Sequence, residues 1–178
     1  MELSTFNSNQ TDEVIELYTQ VFTDAENAEE GVLIGKLVAE LINTSEEHDL
    51  LGFVALSEGK VIACIFFSRL SFSVHTKAFI LSPVAVNSEH QRQGIGQQLI
   101  KLAIKDLKLQ GVEFVFTYGD PNYYSKVGFS EISTEVIKPA FTLTYPEGWQ
   151  GQSLTNKKIT SIAGTCHCVS ALNKQIYW

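Results

Sequence analysis

The segment from residue 78 to residue 111 constrains the fold more than any other part of the sequence. It opens with AFILSPVAV, an apolar run with the length and composition of a buried strand. A polar loop follows, and Gly94 and Gly96 stand at its end, where apolar residues begin to recur with the period of an α-helix. A strand, a loop and an amphipathic helix in this order predict an α/β protein in which the helix packs on a sheet.

Hydrophobic periodicity and turn residues predict the elements around this segment. An N-terminal strand precedes two amphipathic helices, a hairpin of buried strands comes next, and further strands end the chain. The predicted strands are Glu2–Phe6, 50–56, 61–68, 78–86, 112–119, 140–146 (AFTLTYP) and 164–172 (GTCHCVSAL), and the predicted helices run through Val14–Phe22, Leu33–Ile42, Ile95–Leu107 and part of 120–129. We expect a single domain over 1–178, with a core over 1–145 and C-terminal strands over 146–178.

Composition limits the partners that the chain can have. The 178 residues are 44% hydrophobic and 19% charged, which fits a globular domain, and the net charge of −7 argues against nucleic-acid binding. The N-terminal residues lack the basic flank and apolar centre of a signal peptide, and no apolar run reaches the length of a membrane span. We therefore expect a cytoplasmic protein with no nucleic-acid partner and no membrane partner.

The three cysteines raise the question of a disulfide or a metal site. Their odd number and the lack of a regular framework fit a reducing compartment. The run Cys166-His167-Cys168 could ligate zinc, but no second ligand pair stands elsewhere at the usual spacing. On an alternating strand Cys166 and Cys168 would share one face and pack there. We therefore predict no metal.

Gly94 and Gly96 can be compared with the known phosphate-binding loops. A P-loop requires Gly-Lys-Ser/Thr, which is absent, and the dinucleotide fingerprint requires a third glycine where Leu99 stands. What remains is an anion that faces the free N–H groups and the positive end of the helix, with glycine allowing a close approach. The alternative is that both glycines only permit close packing on a strand.

The residues before the helix resemble a known cofactor motif. Gln91-x-x-Gly94-x-Gly96, directly after a strand that ends in Val-x-Val, resembles the acetyl-CoA pyrophosphate motif of the GNAT superfamily of N-acyltransferases. The resemblance extends over about residues 1–145 and implies an acyl-CoA N-acyltransferase fold. That fold is an α/β (α+β) arrangement with a mixed, mostly antiparallel central sheet, splayed in the middle, and helices on both faces.

A second motif stands where the same family keeps one. YYSKVGF resembles its Tyr-x-x-x-Gly-Phe ending, with Tyr124, Gly128 and Phe129 in matching positions, and GDPNYYSKVGF is similar to a bacterial subgroup of predicted N-acetyltransferases. Asp120 suits the N-cap of this short helix and Pro121 its first position. Because two separated motifs agree in order and spacing, the resemblance is specific.

The resemblance implies transfer of an acetyl group from acetyl-CoA to an amine, by direct attack in a ternary complex. The strand would offer backbone groups to the pantetheine arm, the loop amides would hold the pyrophosphate, and the Arg92 side chain would contact a phosphate. The implied cofactor-binding residues are Val84, Ala85, Val86, Gln91, Arg92, Gln93, Gly94, Ile95, Gly96, Gln97 and Tyr124. Pro83 removes a ladder donor, which fits a strand that loses its neighbour there.

The family register also implies catalytic roles. The backbone N–H of Val86 would stabilise the thioester oxygen, and Tyr124 would act as general acid toward the leaving sulfur. Tyr124 could instead be a helix residue that only packs on the sheet. For the general base we consider Glu30, placed before the second helix, with Asp120 and His75 as alternatives. Because these are weak candidates, an acceptor amine of low pKa is favoured.

Two other functions stay open at this level. A relative that binds acyl-CoA without turnover, as a ligand or regulator, would also lack an evident base. A nucleotide-dependent oxidoreductase is disfavoured by the missing third glycine. The sequence does not decide whether the acceptor is a small molecule or a peptide amine, and it leaves a homodimer open.

Overall fold

Ten strands and four α-helices make up the computed structural model, which describes residues 1–178. The strands are β1 (Glu2–Thr5), β2 (Leu50–Ser57), β3 (Lys60–Ser71), β4 (Ala78–Val86), β5 (Phe114–Tyr118), β6 (Ser130–Glu131), β7 (Ile137–Lys138), β8 (Trp149–Ser153), β9 (Ile162–Thr165) and β10 (His167–Cys168). The helices are α1 (Thr11–Ala25), α2 (Ala28–Thr44), α3 (Ile95–Leu109) and α4 (Pro121–Tyr124). No helix combines the length and apolar character needed to cross a membrane.

Eight of the strands form one mixed sheet. Their order is β1-β2-β3-β4-β5-β8-β6, and β10 pairs with β3, while β7 and β9 form a separate parallel pair. The pairs β1–β2, β3–β10, β5–β8 and β6–β8 are antiparallel, and β4–β5 is parallel. The predicted fold class, a mixed and mostly antiparallel sheet combined with helices, is confirmed.

The chain divides into two compact units. One contains Met1–Phe67 and Pro83–Ala103, and the other contains Ser68–Ser82 and Ile104–Trp178. Three elements, β3, β4 and α3, contribute residues to both units. The expectation of a single domain over 1–178 stays a prediction.

The core of the first unit contains the apolar faces predicted for the first two helices. Each helix buries residues three or four positions apart, as an amphipathic helix does on a core. The buried residues are Val14, Leu17, Tyr18 and Val21 in α1 and Ile34, Leu37, Val38 and Leu41 in α2. The helical period therefore predicted the inward faces correctly.

Two glycines let α2 approach α1 closely. A Cβ at Gly35 would clash with the Thr19 hydroxyl, while its next neighbour would be 3.5 Å away. A Cβ at Gly31 would clash with the Thr23 hydroxyl and would also lie 2.5 Å from the Thr19 carbonyl oxygen. Glycine is needed at both positions because the facing atoms occupy the space of a side chain.

Aromatic rings form the centre of the second unit. Phe116 in β5 stacks on Trp149 in β8 with ring centroids 5.6 Å apart, and Trp149 packs against Trp178 at 6.2 Å. The buried Trp149 indole N–H donates to the Ile137 carbonyl at 2.9 Å. The indole is therefore packed on its faces and satisfied at its polar edge.

The sheet opens where β4 and β5 separate. Their parallel pairing runs from Ala78–Phe114 to Leu81–Thr117 and ends there, while β4 continues to Val86. At the last pair the Thr117 hydroxyl donates to the Leu81 carbonyl at 3.0 Å. The ladder thus ends two residues before Pro83, as the proline and the family resemblance predicted.

Three predicted elements need correction. Residues 140–146 are not a strand, because side chains satisfy their backbone: Gln175 Nε2 donates to the Thr142 carbonyl at 2.9 Å, and the Tyr118 hydroxyl accepts from Tyr145 N–H at 2.9 Å. The strand predicted over 164–172 is divided: β9 ends at Thr165, β10 contains only His167 and Cys168, and a 3₁₀ turn follows.

The third correction concerns Glu30 and the start of α2. The helix begins at Ala28 rather than at Leu33, because the Asn27 side chain accepts from Glu30 N–H at 2.9 Å and caps the helix there. Glu30 therefore lies in the first turn of α2 and not before it. The apolar period could not indicate this start because the first turn carries no buried side chain before Gly31.

The close contact of the two helices predicts an unusual response to alanine. Alanine in a helix normally adds up to about 1 kcal/mol over glycine, but Gly35→Ala should lower the free energy of unfolding by about 1–3 kcal/mol. Adding Thr19→Ala removes the clashing hydroxyl and should restore most of the loss. Denaturant unfolding measures both.

Gly31→Ala is the matched comparison. Thr23→Ala should not rescue it, because the Thr19 carbonyl oxygen would still lie 2.5 Å from the new Cβ. A Gly35→Ala protein more stable than the wild type would show that the helices are not held at this distance.

Candidate active site

The chain turns sharply after β4, in the first unit. Asn87 N–H donates to the Ile62 carbonyl at 2.8 Å, which holds the end of the strand. The Asn87 side chain accepts from Glu89 N–H at 3.0 Å and its carbonyl accepts from His90 N–H at 2.8 Å, closing a 3₁₀ turn. The predicted polar loop therefore starts from a fixed point.

The loop is also attached to the end of α1. The Ser88 hydroxyl donates to Asp24 at 2.7 Å, and the Gln20 side chain donates to the other oxygen of that carboxylate at 2.6 Å. These hydrogen bonds, first that of Ser88, lower the pKa of Asp24 from its ordinary value. Asp24 therefore carries its charge while it holds the loop.

Two residues of the loop adopt left-handed backbone angles. Gly94 has φ +77° and Arg92 has φ +61°, and Arg92 carries a Cβ that disfavours this conformation by about 1–2 kcal/mol. Gln91 holds the segment by donating from Nε2 to the Val86 carbonyl at 3.0 Å. Strain of this kind is often found at binding sites, where the surrounding structure maintains it.

This conformation leaves a row of backbone donors free. The N–H groups of residues 92–97 make no hydrogen bond within the chain, and the N–H of Gln98 is the first of the helix to bond, to the Gly94 carbonyl at 3.0 Å. Free N–H groups and the positive end of the helix dipole together attract an anion. The arrangement favours the anion interpretation of the two glycines over the packing interpretation.

The strand before the loop alternates its faces as predicted. Ala85 is buried, whereas Val84 and Val86 are partly exposed. Ile95, at the start of α3, is buried and Gly96 beside it is buried as well. These two residues anchor the helix start, and the loop residues 91–94 before them are exposed.

The second motif folds as a short capped helix in the second unit. The Asp120 carboxylate accepts from Asn122 N–H at 2.9 Å, and Pro121 takes the first helical position. Gly128 ends the turn with φ +98°. Asp120 therefore acts as an N-cap, which accounts for its carboxylate without a role as base.

Aromatic neighbours hold the Tyr124 ring. Tyr123 meets it edge-to-face with centroids 5.1 Å apart, and Phe129 does so at 5.8 Å. A Cβ on Gly119 would lie 2.7 Å from Cε2 of Tyr124, so the ring covers the backbone of this glycine. Gln150 fixes that backbone by donating from Nε2 to the Gly119 carbonyl at 3.1 Å.

The Tyr124 hydroxyl is protonated at neutral pH. Burial of its hydroxyl end is the main cause that raises the pKa of Tyr124 to about 12. A hydrogen bond with Thr117 lowers this pKa by a smaller amount, and the electrostatic effects of Tyr123 and Asp120 raise it. Tyr124 is therefore a hydrogen-bond donor, as a general acid must be.

The other predicted site residues have less definite surroundings. Glu30 is half-buried in α2, and His75 is exposed before β4. Cys166 is buried, Cys168 half-buried and His167 exposed, and no group of three or more His, Cys, Asp or Glu side chains is placed to hold a metal ion. The cysteines form no disulfide.

Sequence reasoning missed two residues that support Tyr124. Gly119 directly precedes the helix cap Asp120. A side chain has no room at Gly119, because the ring of Tyr124, five residues later, covers its backbone. Thr117 is a strand residue whose inward position was predictable from alternation. The contact of Thr117 with the Tyr124 hydroxyl could not be predicted from the sequence, because that contact depends on how α4 returns toward β5.

Comparison with known proteins agrees with the two motifs. The chain matches the model of the acetyltransferase (GNAT) family over residues 11–129. It is 34% identical over 139 residues to a protein named uncharacterized N-acetyltransferase YjhQ of Escherichia coli strain K12, a match that covers 74% of this chain and 76% of that protein.

Two solved structures are similar to the whole chain. One is the GNAT family N-acetyltransferase YhbS from Escherichia coli in complex with CoA, with a TM-score of 0.83, 23% identity and coverage of 97% of this chain and 92% of that one. The other is a GNAT family acetyltransferase from Brucella melitensis in complex with acetyl-CoA, with a TM-score of 0.75, 20% identity and 96% coverage of each chain.

The mixed sheet that opens after Leu81 and the donor-lined loop define an acyltransferase fold. The chain belongs to the GNAT family of acetyltransferases, and it is an acetyl-CoA-dependent N-acetyltransferase. The family match includes both motifs but not residues 130–178.

The contact of Tyr124 with Gly119 predicts a change in the ionisation of the tyrosine. In Gly119→Ala the new Cβ displaces the ring, exposes the hydroxyl and should lower its pKa toward the ordinary value of about 10. Carbon-13 NMR of labelled tyrosine should show the Tyr124 signal largely protonated at pH 11 in the wild type and largely ionised in the variant. Tyr124→Phe identifies the signal.

Gly59→Ala is the control for this experiment. Gly59 has a left-handed backbone, with φ +79°, and nothing lies within 4 Å of its added Cβ. It should cost stability and leave the Tyr124 signal unchanged. An unshifted Tyr124 signal in Gly119→Ala would contradict the packing described above.

Proposed function

We propose that the chain transfers the acetyl group of acetyl-CoA to a small amine, by direct attack of the amine on the thioester in a ternary complex. The row of free N–H groups at residues 92–97, in a member of the acetyltransferase family, carries this proposal. The relatives from Escherichia coli and Brucella melitensis contain CoA and acetyl-CoA, which supports the same cosubstrate here.

The loop would bind the pyrophosphate of the cosubstrate. The amides of Arg92, Gln93, Gly94, Ile95, Gly96 and Gln97 would donate to its oxygens, and the Arg92 guanidinium would add a charge-assisted contact. Gln91 would act indirectly, through its hydrogen bond to the Val86 carbonyl. The backbone of Val84, Ala85 and Val86 would pair with the pantetheine arm as a neighbouring strand does.

Bond making and bond breaking would then occur at the thioester carbon. The amine nitrogen bonds to this carbon, the negative charge gathers on its oxygen, and the Val86 N–H stabilises that charge. The carbon–sulfur bond breaks as the intermediate collapses, and the sulfur leaves as a thiolate to which Tyr124, as the general acid, donates a hydrogen bond. The amine loses its extra proton to a base, for which we propose Glu30.

The pKa of Tyr124 limits the way in which it can act. A phenol near 12 is a weaker acid than a thiol near 8.5, so complete transfer of its proton to the departing thiolate would cost about 5 kcal/mol. A hydrogen bond that strengthens as charge develops on the sulfur avoids this cost. Tyr124 would therefore act as the acid by sharing its proton with the sulfur as the carbon–sulfur bond breaks, without ionising fully.

The absence of a strong base restricts the acceptor. Holding a lysine-like amine neutral at pH 7 costs about 4.5 kcal/mol, whereas an α-amine costs about 1 kcal/mol. Asp120 is occupied as a helix cap. An acceptor with an amine of low pKa therefore fits this chain better than a lysine side chain.

The second candidate function is binding of acyl-CoA without turnover. The observation in its favour is that the one carboxylate next to Tyr124 is already used as a cap. Incubation with acetyl-CoA and a panel of amines, with release of free thiol as the signal, separates the two functions. Amine-dependent thiol release supports transfer, and CoA binding without it supports the alternative.

The donor-lined loop predicts opposite effects of one added charge. Gln97→Glu places a carboxylate in the first turn of α3, which should stabilise the helix by about 0.3–1 kcal/mol through its dipole. The same charge should repel the pyrophosphate and reduce the thermal shift with acetyl-CoA, which for the wild type corresponds to about 2.7 kcal/mol at 100 times the dissociation constant.

Gln97→Ala controls for loss of the side chain and should bind nearly as well as the wild type. Arg92→Ala should weaken binding mildly, since the amides remain. NADH should produce no shift in any of these proteins. A shift with NADH and none with acetyl-CoA would contradict acetyl-CoA as the cosubstrate.

The role of Tyr124 predicts a loss confined to turnover. Tyr124→Phe removes one hydroxyl and keeps the ring contacts, so acetyl-CoA should still bind. If the phenol protonates the sulfur, kcat should fall by about 10²–10⁴ in the thiol-release assay. Tyr123→Phe is the matched control and should change little. A Tyr124→Phe enzyme within about twofold of the wild type would make Tyr124 a packing residue.

A further inference from the structure

Tyr18 in α1 joins two strands of the first unit through one hydroxyl. The side chain is fully buried, and its oxygen lies 2.7 Å from the Cys64 carbonyl in β3 and 2.9 Å from the Pro83 carbonyl in β4. The ring stacks on Phe66 at 6.1 Å and on Phe22 at 6.5 Å. A tyrosine that the helical period places in the apolar core thus brings a polar group to the sheet.

Pro83 lies where β4 has fewer backbone hydrogen bonds to its neighbours. Proline has no backbone N–H, so it cannot donate to a neighbouring strand. It also follows the last β4–β5 pair, Leu81–Thr117, by two residues. The hydroxyl of Tyr18 therefore binds β4 at a residue where the regular ladder offers less support.

The hydrogen bond at Pro83 is one of two that flank a short segment of β4. The other is the bond from Asn87 N–H to the Ile62 carbonyl, at 2.8 Å. Between them lie residues 84–86, whose backbone we propose as the binding surface for the pantetheine arm and the thioester oxygen. A shift of either flanking bond would move these donors and acceptors together.

The position of Tyr18 is itself well determined. The next residue, Thr19, is in contact with α2 at Gly31 and Gly35, where there is no room for a side chain. A donor carried by a rigid helix pair can set a backbone position more accurately than one on a loop. The phenol is thus fixed both by its ring contacts and by its helix.

We propose that Tyr18 is a positioning residue for acetyl transfer: its hydroxyl fixes the Pro83 carbonyl and so sets the backbone of residues 84–86 for the cosubstrate. The link to acetyl-CoA rests on the function proposed above. The anchoring of β4 does not, and it can be tested without a ligand.

Tyr18→Phe is the test, because it keeps the ring and deletes only the hydroxyl. Hydrogen exchange of the ligand-free protein should be about fivefold faster at the amides of residues 84–86, the factor that corresponds to one ordinary hydrogen bond. The dissociation constant for acetyl-CoA should rise by a similar factor of about five. The kcat in the thiol-release assay should fall by about tenfold or more, because the oxyanion donor is displaced.

Val14→Ala is the matched control. Val14 is fully buried one turn earlier in the same helix, so its truncation destabilises the unit without touching Pro83. It should lower the melting temperature at least as much as Tyr18→Phe, while exchange at 84–86, acetyl-CoA affinity and kcat stay near wild-type values. Comparing the two variants separates a displaced backbone at residues 84–86 from a general loss of stability.

Two results would overturn the proposal. One is a Tyr18→Phe protein whose exchange at 84–86 matches the wild type, which removes the anchoring. The other is faster exchange with acetyl-CoA affinity and kcat within about twofold of the wild type, a difference smaller than one hydrogen bond provides. A wild-type protein that binds no acetyl-CoA overturns the proposed function instead, and exchange then still decides the anchoring.

Discussion

The end of the β4–β5 ladder at Leu81 and Thr117 is the constraint on which the rest of the site depends. Up to this pair the two strands satisfy each other, and the Thr117 hydroxyl closes the last pair on the Leu81 carbonyl. Beyond it β4 continues to Val86 without β5 as a registered partner. An extended strand that is open on one side can pair there with a further extended segment, as a neighbouring strand does.

The loop after β4 shows how a chain keeps donors available. Backbone N–H groups are normally paired, because leaving them unsatisfied costs free energy. Here the left-handed angles at Arg92 and Gly94 turn the amides of 92–97 away from internal acceptors. The Gln91 side chain and the Asn87 turn hold that shape from the protein side. The strain at Arg92 is thus the local cost of leaving these donors unpaired.

The second motif separates structural from chemical roles among neighbouring residues. Asp120 caps α4, Gly128 ends the 3₁₀ turn that follows α4, and Gly119 has its backbone covered by the Tyr124 ring. The phenol of Tyr124 has its hydroxyl beside Thr117, a residue of the last ladder pair. Tyr18 has a comparable place in the first unit, since its ring belongs to the core and its hydroxyl reaches Pro83. In both cases the aromatic ring fixes where one polar atom can act.

The sequence by itself determined the inward faces of α1 and α2, the strand–loop–helix unit with its glycines, the cap at Asp120 and the family, because these follow from periodicity and from short-range backbone rules. It did not indicate the start of α2 at Ala28, and so misplaced Glu30, since a side-chain cap at Asn27 outweighed a weak apolar period. It also assigned a strand to 140–146, whose backbone is satisfied by distant side chains.

Only the tertiary structure decided the contacts of Tyr18 with Pro83 and of Gly119 with Tyr124. Such contacts join residues of different elements, and local propensity contains no information about which elements will meet.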